Sequence, residues 1–78
     1  MEDRIITAIL DTERTPEGEY IPVLIVENQP GYHRTNWHWS KDRKLAQEIA
    51  DKRNQIMDIS PEEANRILLG SMAISRTR

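Results

Sequence analysis

Residues 20–26 of the chain read Tyr-Ile-Pro-Val-Leu-Ile-Val, and this short run decides the class of fold that we expect. Aromatic and β-branched side chains favour a pleated, half-buried surface, so the run predicts a strand. Residues 4–10, Arg-Ile-Ile-Thr-Ala-Ile-Leu, predict a second strand of the same kind. The polar segment 11–19 between them holds Pro16 and Gly18 at positions that suit a type I turn. The two strands are therefore expected to pair as an antiparallel hairpin.

Aliphatic side chains occupy both faces of this predicted hairpin. Successive residues of a strand point to opposite faces, so the isoleucines of residues 4–10 fall on both. A sheet with one face in water alternates apolar and polar residues, which this hairpin does not do. Either both faces are covered within one molecule, or a partner covers the second face. Pro22 cannot donate a ladder hydrogen bond, so we expect the strand at residues 20–26 to lie at an edge, at least locally.

Helical periodicity replaces this pattern after residue 40. Ser40 is a suitable N-cap, and the periodicity predicts a first helix over residues 41–57. Glu48 is placed to form an ion pair with Lys52 one turn later. The residues that recur at helical spacing and predict the buried stripe of this helix are Leu45, Ala46, Ile49, Ala50, Ile56 and Met57.

A second helix start is encoded by residues 60–63, Ser-Pro-Glu-Glu. Ser60 suits the N-cap and Pro61 suits the first helical position. Glu63 suits the capping-box position, from which its side chain can reach back to the cap. We expect this helix to run over residues 61–74.

Together these segments predict a single α+β domain spanning residues 1–78. An N-terminal antiparallel hairpin or three-stranded meander packs against two C-terminal helices. A net charge of −2 and a hydrophobic fraction of 37% are ordinary for a globular chain of this length. No apolar run approaches the roughly 20 residues that a membrane span needs. The N-terminal Met1-Glu2-Asp3 is acidic where a signal peptide is basic, so we expect a cytoplasmic protein without a membrane partner.

Residues 32–39 concentrate the large rings of the chain. Three of its four Trp and Tyr residues and both histidines lie there, and the chain has no Phe. One interpretation is a third strand over residues 33–39, in which Trp37 and Trp39 share a face and anchor the core. Another is an exposed recognition loop, since Trp, Tyr and Arg dominate interface hot spots. The candidate interaction residues are Tyr32, His33, Arg34, Trp37, His38 and Trp39.

Several chemistries are improbable for this composition. The chain has no cysteine, which excludes disulfides, zinc fingers and thiol catalysis. His33 and His38 alone fall short of the three or four ligands of a zinc site, so we expect no metal and no cofactor. With only three glycines there is no glycine-rich phosphate loop, and no His-Asp-Ser arrangement is legible. We therefore expect no catalytic residues.

Nucleic-acid binding by the helical half is the alternative function. Ile49-Ala50 followed by residues 58–68 resembles the helix-turn-helix of repressors. The resemblance covers less than a third of the chain. The resemblance implies that the second helix approaches DNA phosphates, yet it begins with Glu62 and Glu63. We therefore expect nucleic acid not to be the partner. A binding face would also require convergence of the basic side chains Lys41, Arg43, Lys44, Lys52, Arg53 and Arg66.

Three further motifs, spread over most of the chain, are Glu19-Tyr20-Ile21-Pro22-Val23, Trp37 with Trp39, and Ser60-Pro61-Glu62-Glu63. In these the chain resembles small proteins of unknown function encoded by bacteria and their prophages. The resemblance implies no activity and no site residues. From the residues themselves we expect a non-enzymatic, cytoplasmic protein-interaction module. We also expect it to self-associate as a homodimer, because two short helices can cover only one face of the sheet.

Overall fold

The computed structural model describes residues 3–76 and has three strands followed by two helices. The strands form one antiparallel sheet in the order β1-β2-β3, and both helices pack on it. The predicted α+β fold, with a three-stranded meander and two C-terminal helices, is confirmed. The elements are β1 (Ile5–Ala8), β2 (Val23–Val26), β3 (His33–Arg34), α1 (Arg43–Ile56) and α2 (Pro61–Arg76).

The second strand is central, not at an edge. In the β1–β2 ladder Ile6 lies opposite Ile25, and β3 pairs with the other side of β2. The edge position expected from Pro22 is therefore wrong, because this residue precedes β2 and is buried. Its carbonyl accepts hydrogen bonds from the backbone N–H (3.2 Å) and the hydroxyl (2.6 Å) of Thr35. Proline has no N–H with which to return a bond, so the ladder with the third strand is interrupted at this point.

The turn expected at residues 15–18 is confirmed. The N–H of Gly18 donates to the carbonyl oxygen of Thr15 at 2.9 Å. Gly18 has φ of +94°, a conformation that glycine adopts without steric cost. Arg14 and Tyr20 form an antiparallel bridge next to the turn, so the hairpin extends beyond the regular ladder of β1 and β2.

The two helices pack against different parts of the sheet: α2 lies on one face of β1 and β2, and α1 lies along the edge strand β1. The first core lies between the sheet and α2, and it consists of Ile6, Ala8, Val23, Ile25, Ile59, Ala64 and Ile67. Each fully buried Val, Leu or Ile contributes about 1.5–3 kcal/mol, so this core supplies most of the hydrophobic stabilisation. The second core lies between the other side of the hairpin and α1, and it consists of Ile9, Tyr20, Ala46 and Ala50.

The inner face of α1 differs from the stripe that periodicity predicted. Ala46, Ala50 and Asn54 are its buried residues, spaced four apart. The large side chains of the predicted stripe are instead exposed: Leu45 by 50%, Ile49 by 37%, Ile56 by 81% and Met57 by 63%. The prediction that these four are buried is wrong. Alanine lets the helix axis approach the sheet closely, and the larger side chains would not fit that separation.

Asn54 explains why α1 lies beside β1. β1 is an edge strand, and the outward N–H of Thr7 donates to Asn54 Oδ1 at 2.8 Å. Asn54 Nδ2 donates in return to the carbonyl oxygen of Thr7 at 3.0 Å. The side chain is only 2% exposed. One amide therefore replaces a neighbouring strand at this position and satisfies backbone groups that burial would otherwise leave unpaired.

The helix starts were predicted with mixed success. α1 is capped by Asp42, whose carboxylate accepts the N–H of Lys44 at 3.0 Å, while Ser40 accepts the N–H of Asp42. The expected N-cap at Ser40 is therefore two residues early. For α2 the expected cap is confirmed, because the Ser60 hydroxyl accepts the N–H of Glu63 at 3.2 Å.

Arg4 ties the start of β1 to two other elements. Its guanidinium binds Glu27, just after β2, with Nη2 3.1 Å from Oε2, and it also binds Glu63 in the first turn of α2. The hydrogen bonds from Arg4 lower the pKa of both carboxyl groups. The same bonds, that with Glu27 first, raise the pKa of Arg4. The cluster joins β1, β2 and α2 where their ends meet.

Candidate interaction surface

Residues 33–40 run antiparallel beside residues 20–24, but only the first two are regular strand. Beyond β3, the chain leaves the ladder at Thr35 and rejoins it where the N–H of Trp39 donates to the carbonyl oxygen of Tyr20 at 2.9 Å. The missing N–H of Pro22 explains the break. A strand over the whole of residues 33–39 is therefore not formed, and the intervening residues bulge from the sheet.

The bulge stacks the two tryptophans. The rings of Trp37 and Trp39 lie 6.1 Å apart between centroids and 11° from parallel. The guanidinium carbon of Arg53, on α1, lies 4.4 Å from the centroid of Trp37, a cation–π distance. Trp39 packs against the second core, while Trp37 lines a groove, and both rings are half-buried. The tryptophan pair therefore packs against the second core through Trp39 and contacts solvent in the groove through Trp37.

The remaining candidate residues lie on the surface. Tyr32 and Arg34 both contact Glu13, the hydroxyl of Tyr32 at 2.9 Å and Arg34 Nε at 2.7 Å. The hydrogen bond to this carboxylate raises the pKa of Tyr32. His33 and His38 are exposed. Among residues 3–76, no three His, Asp or Glu side chains are grouped so that they could hold a metal ion.

An apolar groove lies beside Trp37 on the side of the sheet that α1 only partly covers. We call it the open groove, and its apolar walls are Ile5, Leu24, Trp37, Ile56 and Met57. Its volume is about 340 Å³. Ile5 comes from β1 and Leu24 from β2, while Ile56 is the last residue of α1 and Met57 follows it. The sheet face that contains Ile5 and Leu24 therefore retains an uncovered apolar area.

The exposed side chains of α1 extend this area along the helix. Leu45, Ile49 and Ile56 recur at intervals that place them on one flank, which we call the outer flank. Arg53 lies on the same side, four residues after Ile49, and covers Trp37. Ile56 belongs to both the outer flank and the open groove, so the two form one continuous surface.

The outer flank lies outside the aromatic segment 32–39 in which the sequence predicts the interaction residues. Helical spacing predicts that its residues are buried, because spacing alone does not distinguish two neighbouring flanks of one helix. The difference in size was the available indication: Ala46 and Ala50 fall on one flank, and Leu45, Ile49 and Ile56 on the next. An apolar arc that wide exceeds what a single packing face requires.

Comparisons with known proteins add no relative: no protein-family model, curated protein or solved structure matches the chain. The resemblance to small bacterial and prophage proteins stays a prediction. In the part of the chain that the structure describes, neither helix has the length and apolar content needed to cross a bilayer.

Proposed function

We propose that the chain is a non-enzymatic protein-interaction module that acts in the cytoplasm by self-association. The observation that carries the proposal is the continuity of the open groove with the outer flank. Ile5, Ile56 and Met57 are 48%, 81% and 63% exposed within this one surface. Large apolar patches on soluble proteins mark interaction sites.

The composition of the surface also supports a protein partner. It combines a half-buried Trp, an Arg stacked on that Trp, and aliphatic side chains around them. Trp and Arg are the residues that contribute most to binding when a partner excludes water from them. Trp37 is already held by Trp39 and Arg53, so little side-chain entropy is lost on binding.

The alternative, a nucleic-acid-binding regulator, is less well supported because the basic side chains are engaged in different contacts. Arg43 is bound to Asp11 at 2.6 Å, and Arg53 covers Trp37. Arg66 belongs to α2 and lines a separate depression together with Arg4. Electrostatic binding of a phosphate backbone needs several cations along one face.

Light scattering coupled to size-exclusion chromatography tests the proposal. At high micromolar concentration we expect the mass of two chains for the parent protein. Ile56→Asp puts a carboxylate at the centre of the continuous surface, so we expect this variant to be monomeric.

Leu69→Asp is the matched control. Leu69 is 59% exposed on α2, outside the open groove and the outer flank. The control adds the same charge and should leave the dimer intact. A parent protein that is monomeric at high micromolar concentration would overturn the proposal, and so would equal dissociation of the two variants.

A further inference from the structure

The outer flank has the spacing of a helix–helix seam. Leu45, Ile49, Lys52 and Ile56 recur at intervals of four, three and four residues. This alternation is the heptad pattern by which one helix packs against another. Three of the four positions are aliphatic and exposed, and the fourth is the lysine.

The charges of this seam are unused within the molecule. In the described part of the chain neither Glu48 nor Lys52 has an ion-pair partner, although they lie one turn apart and were expected to pair. Both side chains are exposed on α1. A partner that covers the outer flank would complement these two side chains if it brought one negative and one positive charge to the middle of the seam.

A second copy of the chain supplies these charges when the helices run antiparallel. A parallel pair of α1 helices would place Lys52, a residue of the seam, beside the partner's Lys52. An antiparallel pair brings Lys52 level with the partner's Ile49 and the partner's Glu48. It also aligns the opposed helix dipoles favourably. The antiparallel arrangement is self-complementary and is compatible with a twofold axis between the two copies.

We propose that two copies dock through an antiparallel α1–α1 seam in which Leu45 packs on the partner's Ile56 and Lys52 pairs with the partner's Glu48. The lysine stem packs on the partner's Ile49 while its ammonium group stays at the rim. The open groove lies beside the seam, since Ile56 belongs to both. This inference rests on the proposed self-association and adds its partner, direction and register.

Disulfide trapping tests the direction, because the parent chain has no cysteine. Leu45→Cys and Ile56→Cys are made separately, mixed and oxidised. We expect a mixed disulfide, because these positions face each other in the antiparallel seam. Leu45→Cys alone should cross-link poorly, because its two copies lie about 16 Å apart along the helices, beyond disulfide reach.

Charge exchange tests the register. Glu48→Lys and Lys52→Glu should each weaken self-association about tenfold, because attraction becomes repulsion at two symmetric sites. A mixture of the two variants should recover the parent affinity, since each then meets the opposite charge. Lys44→Glu, elsewhere on α1, is the control and should change the affinity little.

The outcomes separate this inference from the proposed function. A dimer that shows no mixed disulfide, a Leu45→Cys protein that cross-links efficiently to itself, or charge variants that fail to complement would overturn the antiparallel seam and leave self-association standing. A parent protein that is monomeric in light scattering would remove both.

Discussion

The two helices bury opposite kinds of side chain. α2 places Ile67 and Ala64 in the first core, as its periodicity indicates, whereas α1 turns two alanines and Asn54 inward and leaves its larger aliphatic side chains in solvent. The difference follows from what each helix meets. α2 lies on an apolar sheet face, while α1 lies close to a strand edge whose backbone groups need hydrogen bonds. Hydrophobic periodicity identifies a helix, but the neighbouring surface decides which flank is buried.

Asn54, the buried polar residue of α1, should therefore stabilise the fold at least as much as Ile67, a buried aliphatic residue of α2. Asn54→Ala should lower the free energy of unfolding by about 4 kcal/mol, because two buried backbone groups of Thr7 lose their partners. Urea denaturation measures the change. Gln55→Ala, at the exposed neighbouring position, is the control and should cost little. If Asn54→Ala lowers the free energy of unfolding as little as Gln55→Ala does, water takes over the hydrogen bonds that the Asn54 side chain makes to Thr7.

The second prediction concerns the aliphatic side chains themselves. Ile67→Ala in α2 should destabilise by about 3 kcal/mol, because it opens a cavity in the first core. Ile49→Ala in α1 should cost less than about 0.5 kcal/mol in the dissociated monomer, as exposed substitutions do. Thermal melts at low protein concentration measure both. Equal losses would contradict the outward orientation of the outer flank.

The smallest expected effect is a pH dependence from the ion pairs of Arg4 at the start of α2. Glu27 and Glu63 have folded pKa values below their ordinary value of 4.5, because Arg4 binds them. Their contribution to stability is therefore complete above that value and is lost as pH falls through the lowered pKa values. The melting temperature should fall over this acidic window.

Arg4→Met keeps most of the aliphatic stem and removes the charge, so the acidic part of its pH profile should be flatter. Lys44→Met is the matched control, because Lys44 is exposed and its side chain has no ion-pair partner within residues 3–76. The control should retain the parent profile. If Arg4→Met also retains it, the two carboxyl groups do not couple folding to pH.

The sequence was sufficient for the features encoded by neighbouring residues. The turn at residues 15–18 and the cap at Ser60 were predicted because a proline, a glycine or a hydroxyl acts there on the adjacent backbone. The alternation of residues 4–10 also indicated correctly that both faces of the sheet contain aliphatic side chains. These local rules do not depend on the tertiary arrangement.

The candidate site was only partly predictable, because its geometry depends on distant residues. Residues 32–39 were identified as the aromatic centre, and the structure brings Trp37 and Trp39 together there. Arg53 above Trp37 could not be inferred, since the two come together only when α1 docks. The central position of β2 was missed for a related reason: Pro22 affects only its own backbone, while strand order depends on where residues 33–34 pair.

The amide clamp between Asn54 and Thr7 also has a consequence for how the chain folds. These residues are 47 positions apart, so the hairpin of β1 and β2 can form before the clamp does. In any molecule whose hairpin forms before α1 docks, the edge of β1 is an open template for strands of other molecules, so folding competes with aggregation. Docking of α1 ends the competition, and Asn54→Ala should therefore lower the yield of soluble protein on refolding from concentrated solution.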